Sequence, residues 1–300
     1  MKTTMKYAVL SMDVEDWYHL YYFKGKADTS YSMLDGFTNY IELMNKYNIK
    51  TTFFVLSELA DIAKEQLLYA VSCGHEIACH GKTHARPIDL SLEDFEREII
   101  EAKVKLEDIV GQEVVGYRAP CFGIDDERYK VIQKIGFKYS SSKMDIVGHP
   151  LYGELDLKSF DQPAKGMFAK DGMIEFALSA QKICGKPIAV SGGGWIRLLP
   201  WNMLMKPLIT KYLKNAENYT LYIHPFELSR KTMPKVQGVG LLTDIRARRG
   251  LGKVDGRIEQ LIMMLKKNGF SFGSFAEVRK KILAAEVDLA AIQSPAKRMG

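Results

Sequence analysis

Two short segments of this 300-residue chain carry side chains suited to holding a metal ion. His80-Gly81-Lys82-Thr83-His84 spaces two imidazoles at i and i+4, which lets one turn of helix present both to one ion. Alone, the pattern fits two satisfied surface histidines better than a metal pair. A hydrolytic zinc-type centre takes three protein ligands and leaves an open position for water. Asp13-Val14-Glu15-Asp16 offers carboxylates for the third place, although that run by itself also reads as a solvated turn with a helix N-cap. Read jointly, the two clusters favour a 2-His-1-carboxylate centre. Arg118 and His224 are further residues of charge-holding or acid–base type, and all four clusters fall where a predicted strand ends.

The elements that must position them alternate. Strands are expected at 7–12, 51–56, 75–78, 114–117, 137–140, 173–176, 188–191, 219–223 and 270–272. Helical spacing covers 34–47, a stretch from Ser57 to Val71, and 95–110 behind a Ser91/Asp94 capping box. It returns over 125–135, from Pro200 to about Asn215, and over 256–267 with Gly269 as its C-cap. Residues 143–172 have no regular pattern. Seven or eight β/α alternations argue for a parallel barrel or an open parallel sheet. In a parallel barrel the strand ends bearing the four clusters share one rim, the rim that carries active sites. With no repeat or linker, residues 1–280 read as one barrel domain and 281–300 as a helical tail.

Composition limits the classes. Apolar residues make up 47% and charged residues 26%, with a net charge of +6, which is ordinary for a soluble globular chain. No apolar run reaches the roughly 18 residues of a membrane span. No stripe of aromatics alternates with Arg and Lys, so nucleic acid is not an expected partner. Cys73, Cys79, Cys121 and Cys184 form no CxxC pair and read as reduced thiols. The N-terminal segment reads as a strand rather than a signal peptide, and a cytoplasmic location is the expectation.

The order of these motifs resembles the polysaccharide deacetylase family, the NodB-homology domains of carbohydrate esterase family four. Asp13–Asp16 is similar to its first acidic motif, His80 and His84 to its HxxxH motif, and Gly116-Tyr117-Arg118-Ala119-Pro120 to its Arg-Pro motif. Leu221-Tyr222-Ile223-His224 matches a late Leu-x-x-His. The segments from Ser191 to Pro200 and His224-Pro225-Phe226-Glu227 resemble the branch found with bacterial exopolysaccharide gene clusters. The resemblance, over roughly residues 5–275, implies an irregular (β/α) barrel of about seven parallel strands. It implies an N-deacetylase holding one divalent ion, zinc first and cobalt or nickel as fits. Asp13 would be the general base, Arg118 would keep it ionised, and His224 would be the general acid. Backbone N–H groups just after Arg118 would serve the oxyanion.

The motifs also depart from the family pattern. Here the first motif is Asp-Val-Glu-Asp rather than two adjacent aspartates, so either Glu15 or Asp16 is the metal ligand, with Asp13 keeping the base role. The fourth motif, residues 137–142, lacks its acid, which leaves Glu227 and Glu175 as candidate partners of His224. Pro120, Trp195 and Arg197 are the candidate substrate-binding residues; Trp17 and Trp201 fit either sugar stacking or core packing. Gly192-Gly193-Gly194 suits a close backbone approach or a tight turn. His75 and Cys79 read as packed neighbours of His80. Arg246, Arg248 and Arg249 read as a solvated loop or as a contact to an anionic glycan or lipid phosphate. The implied partner is an N-acetylated glycan or its lipid-linked precursor, with oligomeric state open. Hydrolysis of a cyclic amide or ureide, or glycan binding without catalysis, are the competing functions.

Overall fold

In the computed structural model, which describes residues 5–144, 150–183 and 186–293, the first half of the chain lays parallel strands side by side. They are β1 (Lys6–Val14), β2 (Thr52–Val55), β3 (Glu76–Cys79), β4 (Gly116–Tyr117) and β5 (Tyr139–Ser140). Between them run α1 (Asp35–Lys46), α2 (Lys64–Ser72), α3 (Leu92–Val110) and α4 (Asp126–Ile135). Local sequence sets these helix ends. Ser91 and Asp125 accept the N–H of Asp94 and Arg128 as N-caps, and Gly111 and Gly136 take the left-handed conformation that stops α3 and α4.

The second half departs from simple alternation. β6 (Asp161–Ala164) and β7 (Met167–Lys170) form an antiparallel hairpin that feeds β8 (Met173–Phe176), which lies parallel to β5. β9 (Ala180–Ile183) and β10 (Lys186–Ala189) form a separate antiparallel pair. After α5 (Gly193–Leu198) and α6 (Lys206–Leu213), β11 (Asn218–Ile223) docks in parallel on β1. Then come α7 (Pro225–Leu228), α8 (Leu241–Arg248), α9 (Val254–Lys267), β12 (Phe270–Phe272) and α10 (Phe275–Gln293). Since Tyr7 and Ala8 pair with both β11 and β12, and Met12 with both β11 and β2, β12 and β2 must share one edge of β1. The sheet order β11-β1-β2-β3-β4-β5-β8 is wholly parallel and curls without full closure. Single parallel bridges extend this arrangement: Met144 to Leu178 continues the β5–β8 pairing, and Gly192 to Tyr222 joins the segment after β10 to β11.

The alternation of β1 decides where chemistry can sit. Ala8, Leu10, Met12 and Val14 join the layer between sheet and helices, with Phe37, Ile41, Phe95 and Leu261. Tyr7 and Val9 face the other way, into an inner core with Phe54, Tyr139 and Phe176, closed at the base by Phe275, Val278 and Ile282 of α10. Ser11 and Asp13 continue that inner face upward, so the interior is apolar at the base and polar at the rim. Among the described residues no helix is long and apolar enough to cross a membrane.

Several expectations are corrected. The helix expected from Ser57 is a 3₁₀ turn, Ser57–Leu59, and α2 starts only at Lys64. The strand expected at 188–191 is β10, antiparallel and outside the main sheet, and the irregular stretch 143–172 hides β6 and β7. The helix expected from Pro200 begins as a π-helical turn, Trp201–Met205, because Pro207 has no N–H to continue the ladder. Cys184, His149 and residues 294–300 of the expected tail lie outside the described residues.

Gly36 gives a test of this packing. A Cβ there would lie 1.8 Å from the Pro225 carbonyl oxygen, where α1 crosses the start of α7, whereas one at Gly256 in α9 meets nothing within 4 Å. Urea denaturation of Gly36→Ala should show a loss of about 1–3 kcal/mol or more. Gly256→Ala should gain about 0.5–1 kcal/mol through helix propensity. Equal effects would contradict the α1–α7 contact.

Candidate active site

Four parallel strands deliver the site at their C-terminal ends. β1 ends in Asp13 and leads into Glu15; β3 leads into His80, β4 into Arg118, and β11 into His224. All four clusters expected on one rim are there. His84 follows on a loop, not on a helix, so the i, i+4 spacing works here through the turn at Gly81, whose φ is +99°.

Glu15, His80 and His84 each offer a ligand atom, and these atoms lie within 4.8 Å of one another. Their protonation suits a metal. Burial holds the His80 imidazole neutral, pushing its pKa down to about 4. Its Nδ1 lies 2.8 Å from the Arg118 carbonyl oxygen, which can only accept, so Nδ1 carries the proton and Nε2 is free to ligate. Burial would raise the Glu15 carboxyl, but His84 and His224 beside it hold it well below the usual carboxylate range. Glu15 Oε2 sits 2.7 Å from His84 Nε2 yet, buried, has no hydrogen bond of good geometry. Convergent nitrogens and a carboxylate oxygen that do not satisfy one another are what a divalent ion of borderline softness would complete. Cys79 does not compete, since burial pushes its thiol up to about 12.

The first motif divides its acids between tasks. Asp16 lies outside the Glu15–His80–His84 group. Its Oδ1 accepts the N–H of Trp17 at 2.8 Å and of Met33 at 2.9 Å, capping a short 3₁₀ helix and tying down the loop before α1. Of the two carboxylates left open by the sequence, Glu15 is therefore the one gathered with the histidines. Asp13 lies beside them, with Oδ1 at 2.5 Å from Arg118 Nη1. The fully buried guanidinium also donates to Ser11 Oγ, the Ser141 carbonyl and Ser141 Oγ, each at 2.9 Å. Its face lies 4.0 Å from the centre of the Phe54 ring. Of the amides just after Arg118, that of Ala119 is engaged by Ser142 Oγ and Pro120 has none, so Cys121 is the next. Cys121 and Phe122 border the cleft with positive φ, 52° and 55°.

The partner of His224 is Glu227. Nδ1 of the imidazole lies 3.3 Å from Glu227 Oε2, which also accepts the His224 N–H at 3.1 Å, while Nε2 lies 3.3 Å from Glu15 Oε1. Burial alone would lower the imidazole pKa, but Glu227 and Glu15 outweigh it and push it up to about 9. Glu227, itself buried, accepts from Arg197 Nε at 2.9 Å. This relay explains the middle glycine of the three, since a Cβ on Gly193 would lie 1.9 Å from Glu227 Oε2; one on Gly192 would instead meet Tyr222, and one on Gly194 would meet nothing within 4 Å. Glu175, the other candidate partner, instead accepts the N–H groups of Ser142 and Lys143, each at 2.7 Å.

Above these groups lies a cleft of about 650 Å³, lined by Asp13, Glu15, His80, His84 and His224, with Tyr21, Tyr22 and Trp195 among its walls. Trp195 is 37% exposed there, whereas Trp17 and Trp201 are buried in the core. The other two expected substrate contacts sit differently. Pro120 is buried in the turn after Arg118 and does not line the cleft. Arg197 borders it, with its Nε bonded to Glu227 and its Nη1 to the carbonyls of Arg246 and Arg249.

Comparison with known proteins agrees with this geometry. Residues 28–140 match the polysaccharide deacetylase family and residues 141–280 match a domain of unknown function, DUF3473. The peptidoglycan deacetylase of Helicobacter pylori is 28% identical over 117 residues, 39% of this chain and 40% of that protein. A bifunctional xylanase/deacetylase of Pseudobutyrivibrio xylanivorans is 27% identical over 97 residues, 31% of this chain and 15% of that protein. The chain thus spans about two-fifths or less of these relatives. A Mycobacterium smegmatis structure of the polysaccharide deacetylase class superposes with a TM-score of 0.60 at 18% identity, covering 95% of this chain and 93% of that one. A carbohydrate esterase family four pseudoenzyme of Bacillus anthracis gives 0.52 at 12% identity, covering 92% and 66%. The curled parallel sheet is therefore a shared fold, and catalysis has to be argued from the residues.

Metal analysis of purified variants tests the division of acids. Glu15→Gln, His80→Ala and His84→Ala should each lose bound divalent ion by tenfold or more. Asp16→Asn should retain it while losing about 0.5–2 kcal/mol of stability as a weakened cap. Metal loss in Asp16→Asn with full occupancy in Glu15→Gln would reverse the assignment.

Proposed function

We propose that this chain, whose residues 28–140 match the polysaccharide deacetylase family, is a metal-dependent hydrolase that removes N-acetyl groups from an N-acetylated bacterial glycan or its lipid-linked precursor. The observation that carries this reading is the juxtaposition, at the floor of one cleft, of the Glu15–His80–His84 group, the Asp13–Arg118 pair and the His224–Glu227 pair. An amide resists hydrolysis because water is a poor nucleophile, the carbonyl oxygen must accept charge, and the amine leaves only when protonated. A divalent ion held by Glu15, His80 and His84, zinc by the mixed nitrogen and oxygen set, supplies acidity to water and polarisation to the carbonyl.

The chain's own groups supply the rest. Asp13 takes the proton of the attacking water. Arg118 holds that carboxylate ionised and fixed, with a charge-assisted bond in an interior from which water is excluded. The Cys121 amide is the first after Arg118 available to the developing oxyanion. On the opposite side of the cleft floor, Glu227 accepts from Nδ1 of His224 and turns Nε2 toward Glu15, where it delivers a proton to the leaving nitrogen. The exposed faces of Trp195, Tyr21 and Tyr22 suit stacking on sugar rings.

The test is release of acetate from an N-acetylhexosamine oligomer, abolished by chelator and restored by zinc, cobalt or nickel. Release of ammonia or a ring-opened product from cyclic substrates, without acetate, would move the function to another C–N bond. Asp13→Asn and His224→Ala should keep their metal and lose activity by on the order of 10²–10⁴-fold. The two should differ on an activated acetyl ester, whose leaving group needs no proton. There His224→Ala should recover most of its rate and Asp13→Asn should not. Glu227→Gln should follow His224→Ala in this leaving-group dependence, and equal defects on both substrates would remove the relay from the mechanism.

A further inference from the structure

The three arginines after α8 begins are sorted by the fold. Arg248 turns inward: its guanidinium pairs with Asp244 at 2.6 Å and donates to the carbonyls of Met233 and Pro234 at 2.6 and 2.7 Å. Arg246 and Arg249 line the catalytic cleft, are exposed, and have no side-chain hydrogen bond or ion pair among the described residues. The acids on that cleft lie against groups of its floor, Asp13 on Arg118, Glu15 near His84 and His224, and Glu227 on Arg197 and His224. Two cations therefore stand on one wall with nothing in the cleft to neutralise them.

Their backbone is fixed relative to the catalytic floor. Arg197, whose Nε holds Glu227, donates through Nη1 to the carbonyls of Arg246 and Arg249. Gly250 packs so closely that a Cβ there would lie 2.3 Å from the Arg197 carbonyl oxygen. A single guanidinium thus joins the proton relay to the segment that presents the two free arginines.

We propose that this wall is a subsite for an anionic group, a carboxylate or a phosphate, carried by the glycan next to the sugar that is deacetylated. The proposal deepens the N-deacetylase reading and rests on it for the reaction, while the anion site itself is a matter of binding. Guanidinium matches the planar oxygens of carboxylate and phosphate with paired N–H donors, and the aromatic walls would hold the sugars between.

The experiment compares acetate release from a neutral N-acetylglucosamine oligomer, from one with a neighbouring uronic acid, and from an N-acetylhexosamine diphosphate. The wild-type protein should favour at least one anionic substrate by on the order of tenfold or more in kcat/KM. The larger of the two preferences identifies carboxylate or phosphate as the source. R246Q/R249Q should bring that ratio to about one, while R246K/R249K keeps the charge and most of the preference. The preference of the wild-type protein should also shrink as salt is raised from low to high ionic strength, a reading that needs no variant. A wild-type ratio near one, a ratio unchanged in R246Q/R249Q, or a preference indifferent to salt would each overturn the subsite. Equilibrium binding of the same three ligands to Asp13→Asn protein separates the two readings. Tighter, Arg-dependent anion binding, with no acetate released from any substrate by the wild-type protein, would leave the subsite standing and remove the deacetylase, whereas equal affinities would remove the subsite alone.

Discussion

Burying Arg118 with no exposure at all is the constraint around which this molecule is organised. Taking a guanidinium and a carboxylate out of water costs several kcal/mol per ion even in a relaxed protein, so the pair survives only if nearly every donor is met. Four N–H groups of Arg118 are, by Asp13, Ser11 and two oxygens of Ser141, with the Phe54 ring against the cation's face. These partners come from the end of β1 and from just beyond β5, although β2 and β3 separate β1 from β4 in the sheet. Only a curled sheet brings them within reach. The curl that makes a barrel and the bond that aims Asp13 are thus one geometric fact.

The same logic places the rest of the site. Arg118 uses its side chain inward and its carbonyl outward, where it fixes the tautomer of His80. One residue then orders both the proposed base and a proposed metal ligand. The residues from 141 onward build the opposite wall: His224, Glu227, Arg197 and Trp195 all lie in the stretch that matches a domain of unknown function. Pairing of β11 along β1 is what sets His224 beside Glu15. The stretch matching that domain therefore supplies the larger share of the cleft lining.

Much of this was legible in the residues. Strand-end placement depends on short-range signals, apolar β-prone runs followed by polar residues, and these located Asp13, His80, Arg118 and His224 correctly. The choice between Glu15 and Asp16 was not legible, because it turns on Met33, seventeen residues away, needing an acceptor for its N–H. The hairpin of β6 and β7 was missed because its strands are half exposed and lack a hydrophobic period. Arg197 read as a substrate contact because nothing local reveals that its partners are Glu227 and the carbonyls of Arg246 and Arg249. Yet one signal was present. An acid three places after a histidine places its carboxylate beside that imidazole, and the glycine at 193 leaves room for it against the backbone.

The position of that acid has a mechanical consequence. Glu227 lies in the same helical turn as His224, its backbone fixed by α7 and its carboxylate by Arg197. An acid on a distant strand would couple the imidazole to the barrel; this one couples it to α5 and, through Arg197, to the wall bearing Arg246 and Arg249. Arg197 thus bonds both the relay's carboxylate and the backbone of the segment that bears that wall. One buried guanidinium therefore positions the partner of His224 and the backbone of that wall together, and Gly193 leaves room for Glu227 as Gly250 does for the Arg197 backbone.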